Sequence, residues 1–360
     1  MERALQRSLV GKTGMGFLKG AASGFDVAIV RFAQQLTRRK APPDVERLAR
    51  LAQTAKTYER IPPDVFFASP PEPRIKERWV RGLPDGGEVV DLTWESGWVP
   101  HDVAGRESYL RFEENRIAHA RLLRHATTPA PTIVCLHGYR AGVHRFEEIA
   151  WRARWLYSRL GLDVALVTLP FHALRAPRGR FNPVFPSMRT DRTVEGFGQA
   201  VWDVRSLIAW LRARGAPRLG LAGMSLGGYT AALLATIEPR LDWVILFIPL
   251  ADLTDVAVEH EALRGEDIPE SVRTAGKAAL RIVRPLARPP VVPGERMLVV
   301  AAAGDRITKT RTHADRLAAH FGAPLVVFPG GHLLQFGRKA GLRAMKALIR
   351  AQIAAPPAGS

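Results

Sequence analysis

The chain has 360 residues, of which 47% are hydrophobic and 24% are charged. This length accommodates one large domain or two smaller ones, and the composition excludes a chain that is disordered throughout. The formal net charge of +18 comes mostly from arginine, which supplies 43 of the 52 basic residues without forming a basic stripe, so we predict no nucleic-acid partner.

The first 40 residues are strongly basic and contain one amphipathic stretch. Apolar side chains recur at helical spacing over residues 25–36, and three basic residues follow at 38–40. Such a helix lies on an anionic membrane surface, or it packs on the main domain or on a second subunit, and we favour packing. Two lysines interrupt residues 11–24, which therefore lack the apolar core of a leader peptide. We predict a cytoplasmic protein, with residues 1–40 as a candidate peripheral membrane contact.

A second helix is predicted over residues 44–59, directly after Pro42 and Pro43. Five prolines between residues 62 and 73 then end the helical pattern. We therefore predict a helical N-terminal extension with a Pro-rich linker over residues 1–85 and a main domain over residues 86–355.

From residue 88 onward, short apolar strands alternate with helices. Strands are predicted at 88–95, 116–125, 132–137, 164–169, 219–222, 243–248, 297–302 and 325–328. Helices are predicted at 145–160, 193–214, 226–237 and 337–354. This alternation is typical of βαβ units, so the predicted fold class is α/β, with a mostly parallel central sheet flanked by helices. The one cysteine, Cys135, falls in a strand, which excludes an internal disulfide and indicates a small buried hydrophobic residue.

A glycine-rich turn joins the fifth predicted strand to the next helix and carries the run Gly223-Met224-Ser225-Leu226-Gly227. This strand, turn and helix context separates a nucleophile elbow from a chance match. Glycines two before and two after Ser225 permit a strained turn and a close contact between strand and helix. A serine nucleophile also requires a base, a group that orients the base, and donors for the developing oxyanion.

On these residues, the chain from residue 86 onward resembles the α/β-hydrolase superfamily. In that family the nucleophile follows strand 5, the acid follows strand 7 or sometimes strand 6, and the histidine follows strand 8. The resemblance implies a triad of Ser225, Asp305 and His332, because Asp305 follows the strand at 297–302 and His332 follows the last strand. Asp252 and Asp255, which follow the preceding strand, are rival acids.

The resemblance also implies an oxyanion hole made by two backbone N–H groups. Leu226 supplies one by its position after the nucleophile, and Tyr139 is our second donor, with Gly138 its nearest competitor. The loop that begins at His137 resembles the family's His-Gly oxyanion loop, but it is not the Gly-Gly-Gly type of many lipases. The substrate class therefore stays open.

Two further segments bear on substrate binding. The loop over residues 170–192 is rich in arginine and aromatic residues, and it forms either an aromatic wall with anion-holding arginines or a solvated loop, which we favour. The candidate substrate-binding residues are His137, Gly138, Phe171 and His172. The insertion over residues 256–293 occupies the family's lid position.

The sequence contains no histidine or cysteine cluster with metal-ligand spacing and no phosphate-binding glycine-rich loop, so we predict neither a metal nor a cofactor. The predicted function is a serine hydrolase that cleaves a carboxylic ester, a thioester or an amide through an acyl-enzyme on Ser225. A small-molecule or lipid acyl ester is the leading substrate. Two alternatives stay open: acyl transfer to an acceptor other than water, and a non-catalytic member of the fold that binds a partner or docks on a membrane.

Overall fold

The computed structural model describes residues 20, 22–24, 26, 44–126, 129–179, 183–262 and 267–356. The predicted amphipathic helix over residues 25–36 lies, apart from Asp26, outside these residues, so its proposed membrane contact stays a prediction. In the described part of the chain, no helix is long and apolar enough to cross a membrane.

A single nine-stranded sheet organises the described residues, with strand order β1-β2-β3-β5-β4-β6-β7-β8-β9. Strands β1, β2, β3 and β5 pair antiparallel in succession, and every pairing from β5 through β4 to β9 is parallel. This confirms the predicted fold class. The strands are β1 Lys76–Gly82, β2 Glu88–Glu95, β3 Ile117–Arg124, β4 Thr132–Leu136, β5 Asp163–Thr168, β6 Leu219–Met224, β7 Trp243–Phe247, β8 Met297–Ala302 and β9 Leu325–Phe328.

The central strands are mostly apolar, and they are buried because helices cover both faces of the sheet. All residues of β4, β5, β7 and β8 are buried. Successive side chains of a strand point to opposite faces. Accordingly, Val134 and Leu136 join one apolar core, while Ile133 and Cys135 join the core on the other face.

Twelve α-helices are assigned in the described residues from 44 onward, and the described residues 20, 22–24 and 26 are also helical. Their bounds are α1 Asp44–Tyr58, α2 Pro63–Phe66, α3 Arg106–Leu110, α4 Glu113–Arg116, α5 His144–Ala150, α6 Ala153–Leu160, α7 Thr190–Ala213, α8 Leu226–Leu234, α9 Leu253–Ala262, α10 Glu270–Ala279, α11 Ala314–Phe321 and α12 Lys339–Ala354. The single helix predicted over residues 145–160 is wrong, because the left-handed backbone of Arg152, with φ of 53°, separates α5 from α6.

The edge strand β1 was not predicted from the sequence. Its residues are mostly exposed, so they lack the apolar run or the alternation that marks a half-buried strand. Side-chain ion pairs to β2 and β3 accompany its backbone pairing with β2: Arg78 to Asp91 of β2 at 2.5 Å, and Glu77 to Arg124 of β3 at 2.7 Å. The sheet therefore begins within residues that the sequence pattern assigned to the linker.

Helix α1 packs on α10, which belongs to the insertion between β7 and β8. The hydroxyl of Tyr58, at the end of α1, donates a hydrogen bond of 2.7 Å to Glu195 of α7. The N-terminal extension is thus in contact with both the insertion and the main domain.

Candidate active site

Ser225 lies in the tight turn between β6 and α8, at the carboxyl edge of the parallel strands. Its backbone has φ of 55° and ψ of −112°, a strained conformation for a residue with a side chain. Two glycines make this turn possible. A Cβ on Gly223 would lie 2.1 Å from the carbonyl oxygen of Gly227, and a Cβ on Gly227 would lie 2.0 Å from that of Leu136.

The structure brings Ser225, His332 and Asp305 together. The Oγ of Ser225 lies 3.0 Å from Nε2 of His332, and Nδ1 of His332 lies 2.8 Å from Oδ2 of Asp305. All three residues are buried. A serine hydroxyl is therefore within hydrogen-bond reach of a base, whose other nitrogen is held by a carboxylate.

Opposite charges decide the ionisation of the two partners. Burial lowers the pKa of His332, but the charge of Asp305, the hydrogen bond to it and the charge of Asp26 outweigh burial, so the pKa is raised above its ordinary value of 6.5. Burial raises the pKa of Asp305, but the charge of His332 and several hydrogen bonds lower it below 3.8. The ionised carboxylate thus favours the imidazolium that proton transfer from serine would create.

The acid is held by the turn that follows β8. Oδ1 of Asp305 accepts the backbone N–H groups of Ile307 and Thr308 at 2.8 and 2.7 Å. The Thr308 hydroxyl lies 2.8 Å from Oδ2 of Asp305, to which it can donate. These bonds leave the carboxylate a single orientation toward His332.

The two rival acids have other partners. Asp252 is fully buried and pairs with Arg284 at 2.6 Å. Asp255 pairs with Arg316 at 2.5 Å. Neither makes a hydrogen bond to His332 in the described part of the chain, so the geometry favours Asp305.

The predicted oxyanion donors, Leu226 and Tyr139, line the same cavity as Ser225. Leu226 is the first residue of α8, and a Cβ on Gly138 would lie 3.5 Å from the Cβ of Ser225. Nε2 of His137 accepts the N–H of Leu169 at 2.9 Å, so its proton is on Nδ1, which donates to the carbonyl oxygen of Gly138 at 2.7 Å. In a trans peptide the carbonyl and the next N–H point in opposite directions. The N–H of Tyr139 therefore points away from His137.

Ser225 opens into a cavity of about 570 Å³. Most of its walls are apolar, and much of this surface comes from α1 and from the insertion. The apolar lining includes Leu51, Met188, Leu253, Val256, Val272 and Leu280. In the described ranges, the charged side chains of the lining are Arg47 and Arg50 of α1. The sequence pattern did not predict that α1 forms part of this wall.

None of the four predicted substrate-binding residues, His137, Gly138, Phe171 and His172, is among the residues that line the cavity. His137, Phe171 and His172 are fully buried. Phe171 packs edge-on against Tyr109, with ring centroids 5.3 Å apart, because the loop after β5 folds inward. Of the arginines in this loop, Arg175 is completely buried and pairs with Asp203 at 2.8 Å. Its guanidinium is therefore a structural group and not an anion-binding one.

The sequence pattern did not predict that two polar residues of the N-terminal extension lie near the site. Asp26 accepts the backbone N–H of His332 at 2.8 Å, and the hydroxyl of Ser23 donates to the carbonyl of Gly304 at 2.7 Å. Both lie hundreds of residues from their partners, and no motif marks them. Among the described residues, no cluster of three or more histidine, cysteine or acidic side chains could hold a metal ion.

The sequence and the fold of this chain are similar to those of known proteins. A family model described as "Alpha/beta hydrolase domain containing 18" matches residues 110–260. An uncharacterised protein of Mycobacterium tuberculosis is 36% identical over 277 residues, covering 75% of this chain and 66% of that protein. The chain therefore spans just under two thirds of the length of the curated relatives it matches.

Two solved structures share the fold at low sequence identity. Acetyl xylan esterase 1 from a Thermoanaerobacterium species has a TM-score of 0.53 and 15% identity, covering 86% of this chain and 94% of its own. An acetyl xylan esterase from a Paenibacillus species has a TM-score of 0.54 and 14% identity, covering 88% of this chain and 98% of its own. At this identity the likeness is one of fold.

Proposed function

We propose that this chain, which has the fold of solved esterases and matches an α/β-hydrolase family model over residues 110–260, is a serine hydrolase that cleaves a carboxylic ester through an acyl-enzyme on Ser225. One observation carries the proposal. The Ser225 hydroxyl, the His332 imidazole and the Asp305 carboxylate form a continuous hydrogen-bonded series, and Ser225 lies at the wall of a cavity.

In the first half of the reaction, Oγ of Ser225 attacks the carbonyl carbon of the ester while Nε2 of His332 takes the hydroxyl proton. The tetrahedral intermediate then collapses, the bond to the leaving alcohol breaks, and His332 gives the proton to that alcohol. Asp305 stays ionised and stabilises the imidazolium in between.

In the second half, His332 takes a proton from water, and the resulting hydroxide attacks the acyl carbon. Collapse of this second intermediate breaks the bond to Oγ and returns the proton to Ser225. The carboxylic acid product then leaves. Because His332 must be neutral to act as a base, its raised pKa predicts activity that increases with pH above about 6.5.

The backbone N–H groups of Leu226 and Tyr139 are the donors we propose for the oxyanion. Leu226 begins α8, so the positive end of the helix dipole adds to its N–H. The hydrogen bond from His137 to Gly138 supports Tyr139 over Gly138, because it turns the Tyr139 N–H away from His137. Removal of one such donor typically costs about 100-fold or more in turnover.

The cavity supports an ester with an apolar acyl group. Its volume of about 570 Å³ lies in the range of small-molecule sites, and its lining is mostly aliphatic. A lipid acyl ester is our leading substrate within this class. The esterase names of the two structural relatives are consistent with ester chemistry, although their acetyl group is smaller than this cavity accommodates.

A fluorophosphonate probe tests the proposal, because it reacts only with an activated serine. We expect wild-type protein to be labelled, Ser225→Ala to be unlabelled, and the surface variant Ser158→Ala to be labelled at the wild-type rate. p-Nitrophenyl esters of increasing chain length, from acetate to dodecanoate, then report the acyl preference. Failure of the wild type to react, or equal labelling of Ser225→Ala, would overturn the proposal.

A further inference from the structure

A carboxylate from the N-terminal extension is buried between the two loops that carry the acid and the histidine. Asp26 is completely buried. Its Oδ2 accepts the N–H of His332 at 2.8 Å and that of Arg306 at 3.3 Å, and its Oδ1 accepts the N–H of Leu333 at 3.0 Å. Three backbone donors from two separate loops thus converge on one side chain.

Neighbouring contacts tie the same segment to the same loops. The hydroxyl of Ser23 donates to the carbonyl of Gly304, one residue before Asp305. A Cβ on Gly331 would lie 2.8 Å from Oδ2 of Asp26 and 3.0 Å from the Cβ of Ala22. The segment is therefore in direct packing contact with the residue that precedes His332.

We propose that Asp26 is a positioning residue for His332, which fixes the backbone of both loops and favours the charged imidazolium through its own negative charge. This inference rests on the proposed function. It adds to the site a second carboxylate that acts through the loop backbone, whereas Asp305 acts through the ring.

The fixed loop backbone and the favoured imidazolium both follow from the burial of Asp26. A buried carboxylate is costly unless hydrogen bonds and positive charge compensate it, and here three N–H donors do so. Asp305 from the β8 loop and Asp26 from the extension are the charged groups that raise the pKa of His332 among the described residues, and burial opposes them. The side chain of Arg306, on the same loop as Asp305, is exposed to solvent. Both carboxylates are needed for the full increase in the pKa of His332.

The backbone bonds matter because the histidine loop has few other attachments. The N–H of Gly304 donates to the carbonyl of Gly330 at 2.8 Å, and the N–H of Gly331 donates to that of Leu334 at 2.8 Å. Asp26 is the described side chain that bonds both loops through their N–H groups. Displacement of a catalytic group by about 1 Å can cost roughly 100-fold in rate.

The experiment compares Asp26→Asn, Asp26→Ala and the exposed control Asp64→Asn in the full chain. The readout is the second-order rate of fluorophosphonate labelling from pH 5 to pH 9, with thermal unfolding measured on each variant. NMR titration of the His332 imidazole, assigned by its absence in His332→Gln, reports protonation independently of any activity.

Asp26→Asn keeps the shape of the side chain but loses its charge. We expect the low-pH side of its labelling-rate profile and the titration of its His332 to move to lower pH by roughly half a unit. Its labelling rate at pH 8 should fall about 10-fold. Asp26→Ala, which leaves three N–H groups unpaired, should lose about 100-fold and unfold at a lower temperature. Asp64→Asn should match the wild type in every respect.

The outcomes separate this inference from the proposed function. If Asp26→Asn keeps the wild-type rate, pH profile and His332 titration, Asp26 has no positioning role and the inference is wrong, even if unfolding changes. If the wild type is not labelled at all, the hydrolase proposal fails, while the His332 titration still tests the inference.

Discussion

Replacing Asp305 by asparagine isolates the role of the acid without changing its shape. Oδ1 of Asp305 accepts two backbone N–H groups, and Oδ2 faces His332 and the Thr308 hydroxyl. An asparagine that keeps its oxygen in the Oδ1 position retains the two backbone bonds, so the turn and the fold should survive. Its amide nitrogen then faces Nδ1 of His332.

This exchange inverts the tautomer of the histidine. An NH₂ group donates, so Nδ1 must present its lone pair and the ring proton moves to Nε2, which lies 3.0 Å from Oγ of Ser225. A protonated Nε2 cannot accept the serine proton. We expect the labelling rate to fall about 10³- to 10⁴-fold, which corresponds to roughly 4 to 5.5 kcal/mol of transition-state stabilisation. The charge that raises the pKa of His332 is also lost, so the residual activity should extend to lower pH.

The assay is the fluorophosphonate labelling rate of folded protein from pH 5 to pH 9, with circular dichroism as a check of folding. Asp252→Asn is the matched control, because Asp252 is an equally buried acid that pairs with Arg284 and not with His332. It should lower stability and leave the labelling rate of the folded protein unchanged. A rate for Asp305→Asn above one tenth of the wild type, or a large loss in Asp252→Asn, would refute the assignment of the acid.

Two further predictions concern stability. Gly227→Ala places a Cβ 2.0 Å from the carbonyl of Leu136, so we expect a loss of about 3 kcal/mol in urea unfolding, whereas Gly82→Ala, with open space around its Cβ, should be nearly neutral; equal effects would contradict the steric argument. Burial outweighs the hydrogen bonds from Asp102, Tyr58 and Trp98 and raises the pKa of Glu195 to about 7. The folded state therefore binds this proton more tightly than the unfolded state, and the stability it contributes at low pH is lost as the pH rises through 7. Glu195→Gln should gain on the order of 2 kcal/mol relative to the wild type between pH 5 and pH 8, and a pH-independent difference would argue against this ionisation.

The sequence predicted the central sheet closely because parallel strands covered on both faces are continuous apolar runs. The strands β2, β8 and β9 have the predicted bounds, and the others differ by one or two residues at an end. The edge strand β1 has no such run, since its side chains face solvent and its backbone pairs with β2 on one side only. The break at Arg152 lacks the glycine or proline that marks most helix ends.

Some residues of the candidate site were likewise predicted from the sequence, and others were not. Ser225, Asp305 and His332 each follow a recognisable strand, so the resemblance to the α/β-hydrolase superfamily indicated that they meet at one edge of the sheet. Phe171 and Arg175 were harder to predict, because a loop that turns inward gives its aromatic and charged residues buried partners that no local pattern specifies. Asp26 contacts His332 across 306 positions of sequence, a distance at which neither spacing nor periodicity carries information.

That separation has a consequence for how the protein is made. Asp26 is synthesised 307 residues before its partner Leu333. At translation rates of about 5 to 20 residues per second, roughly 15 to 60 s pass between the two on the ribosome. For about the last third of that time, the nascent chain already carries Ser225 but lacks the histidine. Completion of the site therefore depends on His332 packing against a residue that was synthesised 306 positions earlier.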